Sequence, residues 1–103
     1  MIRQFDVVPN PLRTGRAEKP FLVCIQHHHL GHLTSRVMAP LLTRPIGHHP
    51  RLYPALRIGL QTYFLDPAEI VTVPVKRLAE SIANLESERN RIIAALDLVL
   101  TGI

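Results

Sequence analysis

Pro54-Ala55-Leu56-Arg57-Ile58, then Gly59-Leu60, then Gln61-Thr62-Tyr63-Phe64-Leu65 reads as two short strands joined by a two-residue turn. Glycine at the first turn position supplies the positive φ of a type II′ turn, whose twist matches that of paired antiparallel strands. The neighbouring segments repeat the pattern of short apolar runs bounded by turn residues. Upstream, Val37-Met38-Ala39-Pro40-Leu41-Leu42 is a strand in which Pro40 removes a ladder donor, so an edge position or a bulge is predicted. Phe21-Leu22-Val23-Cys24-Ile25 is an uninterrupted apolar run, consistent with a strand covered on both faces. Phe5-Asp6-Val7-Val8 opens the series and closes at Pro9-Asn10-Pro11, with a loop rich in Arg, Thr and Gly running to Pro20. Downstream, Ile70-Val71-Thr72-Val73-Pro74-Val75 is a further strand, again marked by a proline.

After Val75 the period changes. Leu85, Ile92, Leu96, Val99 and Ile103 fall at spacings of 7, 4, 3 and 4, which lines them along one stripe of an α-helix. Asn84 is the predicted N-cap, with Glu86 and Glu88 in the first turn where the helix dipole favours negative charge. Ile93 and Leu100 widen the stripe toward a second subunit, and Gly102 is placed to end the helix. Antiparallel strands followed by one terminal helix predict a mostly β, α+β fold. At 103 residues there is room for one domain, spanning 1–103.

Composition narrows the function classes. With 47% hydrophobic and 19% charged residues the chain can fold, and it is not of a disordered type. One cysteine, Cys24, allows no internal disulfide and no thiolate zinc cage, and it reads as a small buried side chain. A reducing cytoplasm fits. No stretch approaches the roughly 18 apolar residues of a membrane span, and the N-terminus lacks the apolar core of a signal peptide. The net charge of +4 favours acidic partners. The basic residues are scattered and aromatics make up only 5%, so no direct nucleic-acid platform is expected.

Six histidines stand out: His27, His28, His29, His32, His48 and His49. Imidazoles ligate zinc, nickel and copper. Three in a row on a strand would point to alternate faces, and no carboxylate lies among them, so a strand end entering a polar loop is the reading preferred and no metal or cofactor is expected. No nucleophile signature or phosphate loop is present, so no catalytic residue is assigned and no enzyme is expected. A ribonuclease built from distant His and Arg residues stays open. The apolar ending Leu98-Val99-Leu100-Thr101-Gly102-Ile103 suggests docking, either into the core, a dimer seam or an external target.

From Arg36 onward the chain resembles the CcdB family of toxins. Arg36-Val37-Met38-Ala39-Pro40-Leu41 is similar to that family's Arg-Met-Val-Ile-Pro-Leu segment. Leu52-Tyr53-Pro54 with Ile58-Gly59 matches its hairpin, Val73-Pro74-Val75 its Val-Pro-Val strand, and Gly102-Ile103 its terminus. Near the N-terminus only Gln4-Phe5 matches, and the loop from Thr43 to Pro50 is shorter. The resemblance implies a homodimer of twisted antiparallel sheets related to SH3-like barrels, each with a C-terminal helix. It also implies a non-enzymatic toxin used in plasmid maintenance, which traps the A subunit of DNA gyrase on cleaved DNA and is removed by an acidic CcdA-like antitoxin.

The implied gyrase contacts are Thr101, Gly102 and Ile103, where the family ends Trp-Gly-Ile, with secondary contacts at His29, Leu30 and Asp97. Thr101 in place of Trp removes a favoured hot-spot side chain, a loss of about 2 kcal/mol or more. Two alternatives follow: a module that binds antitoxin without poisoning gyrase, and an mRNA-cleaving toxin of the related Kid and MazF type.

Overall fold

The computed structural model of the chain describes every residue from Met1 to Ile103 except Thr14. Thr14, part of the predicted Arg, Thr and Gly loop, lies outside the described residues. Seven strands, β1 (Asp6–Pro9), β2 (Phe21–Cys24), β3 (Ser35–Leu42), β4 (Ala55–Ile58), β5 (Gln61–Leu65), β6 (Val71–Pro74) and β7 (Ala83–Asn84), precede one helix, α1 (Arg89–Thr101). All pairings are antiparallel, in the order β4-β5-β3-β2-β1-β7 with β6 also on β3, and the sheet nearly closes into a barrel. The predicted mostly β, α+β class is the observed one.

The hairpin forms as read. Ile58 pairs with Gln61, leaving Gly59 and Leu60 as the turn, and Gly59 sits at φ 62° while Leu60 does not share its positive φ. That is the signature of a turn needing glycine at its first position. The central strands sort their side chains with period two. Val7, Val23, Ala39 and Leu41 face the layer that α1 covers with Ile92 and Ala95, while Val8, Leu22, Cys24 and Met38 face a second cluster closed by Ile2 and Val73. Strands buried on both faces explain the unbroken apolar run at Phe21–Cys24. Cys24 is fully buried and its thiol pKa is pushed up by that burial, as a structural rather than reactive cysteine requires.

Two expectations are corrected. Pro40 lies neither at an edge nor in a bulge: β3 is central, with β2 on one side and both β5 and β6 on the other. β6 pairs with residues 35–38 and β5 with 41–42, so Pro40 falls between the two partners. Its carbonyl accepts the Asp66 N–H at 3.0 Å, which places its nitrogen toward the same gap, where no donor is demanded. The second correction is the start of the helix. Asn84 is still in the sheet, paired with Asp6, and Leu85 N–H donates to the Phe5 carbonyl. Asn84 Oδ1 therefore caps a 3-10 turn over Glu86–Glu88, accepting the Glu86 N–H at 2.8 Å, and α geometry begins only at Arg89. The histidines stand in a turn just past the end of β2, in keeping with the preferred reading of a strand end entering a polar loop.

Phe5 is the one described non-glycine residue with positive φ, at 70°. It is wholly buried beneath the Arg89 guanidinium, 5.6 Å from its ring centroid. Such a backbone costs on the order of 1–3 kcal/mol, offset here by burying an aromatic ring worth about 1.5–3 kcal/mol.

Candidate functional site

The expected contact residues fall into two groups. The first is the end of α1. Ile92 and Ala95 are buried against the sheet, but the apolar stripe continues past the sheet's reach. Val99 is 39% exposed, Leu100 75% and Ile103 83%. Gly102 takes the left-handed conformation, φ 79°, and its N–H donates to the Leu98 carbonyl at 3.0 Å, ending the helix as predicted. Thr101 is turned back on the helix: its hydroxyl donates to the Asp97 carbonyl at 2.7 Å and accepts the Ile103 N–H at 3.4 Å. The hydroxyl is thus occupied in capping, and Asp97 is exposed one turn earlier.

The second group is the turn after β2. His27 precedes a 3-10 turn over His28–Leu30, and His29 and Leu30 are both exposed. Two buried polar side chains hold this loop from below. Gln26 donates from Nε2 to the Leu30 carbonyl at 3.0 Å and accepts the Val37 N–H through Oε1 at 3.1 Å. Arg36, 2% exposed, donates to the carbonyls of Ile2, Gly31, Leu33 and Ser35. A buried guanidinium satisfied by four carbonyls fixes the loop's path. Neither role is read from the sequence, where Arg36 only opens the segment similar to the family's Arg-Met-Val-Ile-Pro-Leu. The available signal was an arginine opening an apolar strand.

One chain does not bring these two groups together. His27 feels the positive charge of Arg89, at the start of α1, whereas Thr101 ends it about 18 Å further along at 1.5 Å per residue. The His27 ring is partly desolvated and lies against His28 and His29, and desolvation together with the charges of His28, His29 and Arg89 lowers its pKa.

A third feature was not anticipated. An open cleft of about 690 Å³ gathers Lys19, Thr43, Arg44, Asp66 and Glu69. Asp66 is buried, and desolvation is the main cause of a carboxyl pKa above the usual range, with Glu69 adding to it and the Ala68 N–H and Lys19 opposing. Lys19 is ion-paired to Glu69. The cleft thus sets a carboxyl of raised pKa among cationic and anionic side chains, an arrangement in which proton transfer is feasible. Among the described residues, no helix is long and apolar enough to cross a membrane.

The fold is shared with solved structures, among them the following two. One is described as an endoribonuclease in complex with its cognate antitoxin from a mycobacterial species; it is 18% identical, with a TM-score of 0.78, covering 95% of this chain and 93% of that one. The other is described as an endoribonuclease from a mycobacterial species, 17% identical, TM-score 0.73, covering 95% and 89%. The expectation that the chain is no enzyme is overturned by these neighbours: proteins of this fold are named endoribonucleases, so a missing nucleophile signature does not exclude catalysis. No curated protein matches the chain. The family described as CcdB protein matches residues 4–102, nearly the whole sequence, so the chain belongs to the CcdB family and, with it, to the toxins of toxin–antitoxin systems.

Proposed function

We propose that this toxin acts on the A subunit of DNA gyrase, trapping the enzyme on cleaved DNA, and that the exposed end of α1 is its main contact. The observation that carries the reading is the apolar surface at Val99, Leu100 and Ile103, on a helix whose earlier turns are buried. Contiguous exposed apolar surface at the end of a rigid element marks a docking site. His29, Leu30 and Asp97 form the secondary contacts. Because one chain holds the two groups apart, a homodimer that sets the α1 end of one protomer beside the turn of the other is part of the proposal. The +4 charge suits an acidic, CcdA-like antitoxin, through steering and charge complementarity.

Cleavage of mRNA is the second reading, favoured by the endoribonuclease neighbours and by the cleft that gathers Asp66, Lys19 and Arg44. Two assays separate the readings. Purified gyrase and supercoiled DNA are incubated with the protein, and in parallel a long single-stranded RNA is incubated with it. Protein-linked double-strand breaks with intact RNA support gyrase poisoning. RNA cleavage without breaks replaces it with the second reading.

A further inference from the structure

On a strand, three consecutive histidines would divide between two faces. The chain leaves β2 at Cys24 and turns, so that one nitrogen from each of His27, His28 and His29 lies within 4.8 Å of the others. The ring centroids are 4.2, 4.4 and 5.0 Å apart. We propose that this turn is a binding site for one late first-row divalent ion, Zn²⁺, Ni²⁺ or Cu²⁺, held by the three imidazoles.

Geometry comes first. Tetrahedral ligation at metal–nitrogen distances of about 2.0–2.1 Å asks for nitrogens roughly 3.3 Å apart. The nitrogens must close by an ångström or so, and the exposed rings of His28 and His29 can turn about their own side-chain bonds to do this. Gln26 and Arg36 hold the loop's backbone through the Leu30 and Gly31 carbonyls, so the rings rather than the backbone are the parts free to move. Apart from one bond, the three rings make no hydrogen bond among the described residues, and that bond is the His29 N–H donated to His27 Nδ1 at 3.1 Å. Ligation by His27 exchanges it: either Nδ1 binds the ion, or Nε2 binds it after its proton has moved to Nδ1, which then stops accepting. In both cases the His29 amide is released, a signature separate from affinity.

The donor set selects the ion. Three neutral imidazoles with no carboxylate suit zinc, nickel and copper and give magnesium or calcium nothing they prefer. Arg89 and the buried Arg36 add positive charge nearby, which disfavours any dication and leaves only ions whose bonds to imidazole are strong. Three protein ligands on a surface also leave at least one position for water or a donor from another molecule.

The test titrates the full chain with ZnCl₂ and NiCl₂, following histidine ring resonances and the His29 amide by NMR, with calorimetry for stoichiometry. The paired variants are His28→Gln with His29→Gln, and His48→Gln with His49→Gln, all surface substitutions whose folding is checked by circular dichroism. The account expects one ion per chain, shifts confined to His27, His28 and His29, loss of protection at the His29 amide, and at least tenfold weaker binding in the first variant only. Absence of binding, binding unchanged in the first variant, loss of binding in the second, or one ion shared by two chains would each overturn the site.

Discussion

The two halves of α1 carry one apolar stripe and meet two different fates. Ile92 is wholly buried between the helix and the sheet, whereas Leu100, two turns later, is 75% exposed. The sequence pattern is continuous across the boundary, so periodicity cannot mark where the sheet stops covering the helix. The difference teaches that half of the stripe is structural and half is available for another molecule.

The largest expected effect falls on the buried half. Ile92→Ala should destabilise the fold by about 2–5 kcal/mol, read by urea denaturation, because a wholly enclosed side chain leaves a cavity. A loss under 1 kcal/mol would mean that the two halves are not distinct. Next is Thr101→Trp on the exposed half. Adding a large rigid anchor should tighten gyrase binding by about 2 kcal/mol, roughly 30-fold, while losing the hydroxyl's bonds to Asp97 and Ile103 should cost about 0.5–1.5 kcal/mol of stability; unchanged affinity would move the contact elsewhere. Gly102→Ala forces an alanine to φ 79° at the end of that half, an expected cost of about 1 kcal/mol in thermal unfolding.

The smallest effect lies off the helix, at Asp66, and serves as a control for both halves. Its folded pKa is raised, so the folded state holds this proton more firmly than the unfolded chain does. Its contribution to stability therefore falls as pH rises from the ordinary carboxylate range through the raised value, and is constant below that window. Asp66→Asn keeps an oxygen for the Ala68 N–H, should remove this slope and should raise the melting temperature slightly at neutral pH. A melting temperature that drops would show the carboxylate to be stabilising.

Much of the fold was legible because local chemistry and tertiary packing agree. Gly59 asks for the turn it makes, Phe21–Cys24 is apolar because both faces are covered, and Gly102 ends the helix. The failures have a common cause, in that long-range pairing overrode local preference. Pro40 survives in a central strand only because β5 and β6 leave a gap opposite it. β7, two residues long with no β-branched side chain, exists through its pairing with β1 and delays the helix to Arg89. Of the candidate site, His29 and Leu30 were named only through the resemblance to the family, whereas the apolar terminus could be named from residue identity and spacing. The clamp by Gln26 and Arg36 and the gathering of three imidazoles could not, since both depend on how a loop closes over a buried cation.

The central claim is that the exposed half of α1 grips gyrase. Leu100→Lys tests it most directly, in a DNA cleavage assay with purified gyrase alongside the unmodified protein. An exposed substitution should alter stability by no more than about 0.5 kcal/mol. The account predicts a folded protein that no longer accumulates protein-linked breaks while the unmodified chain does. Equal break formation by both proteins would contradict it.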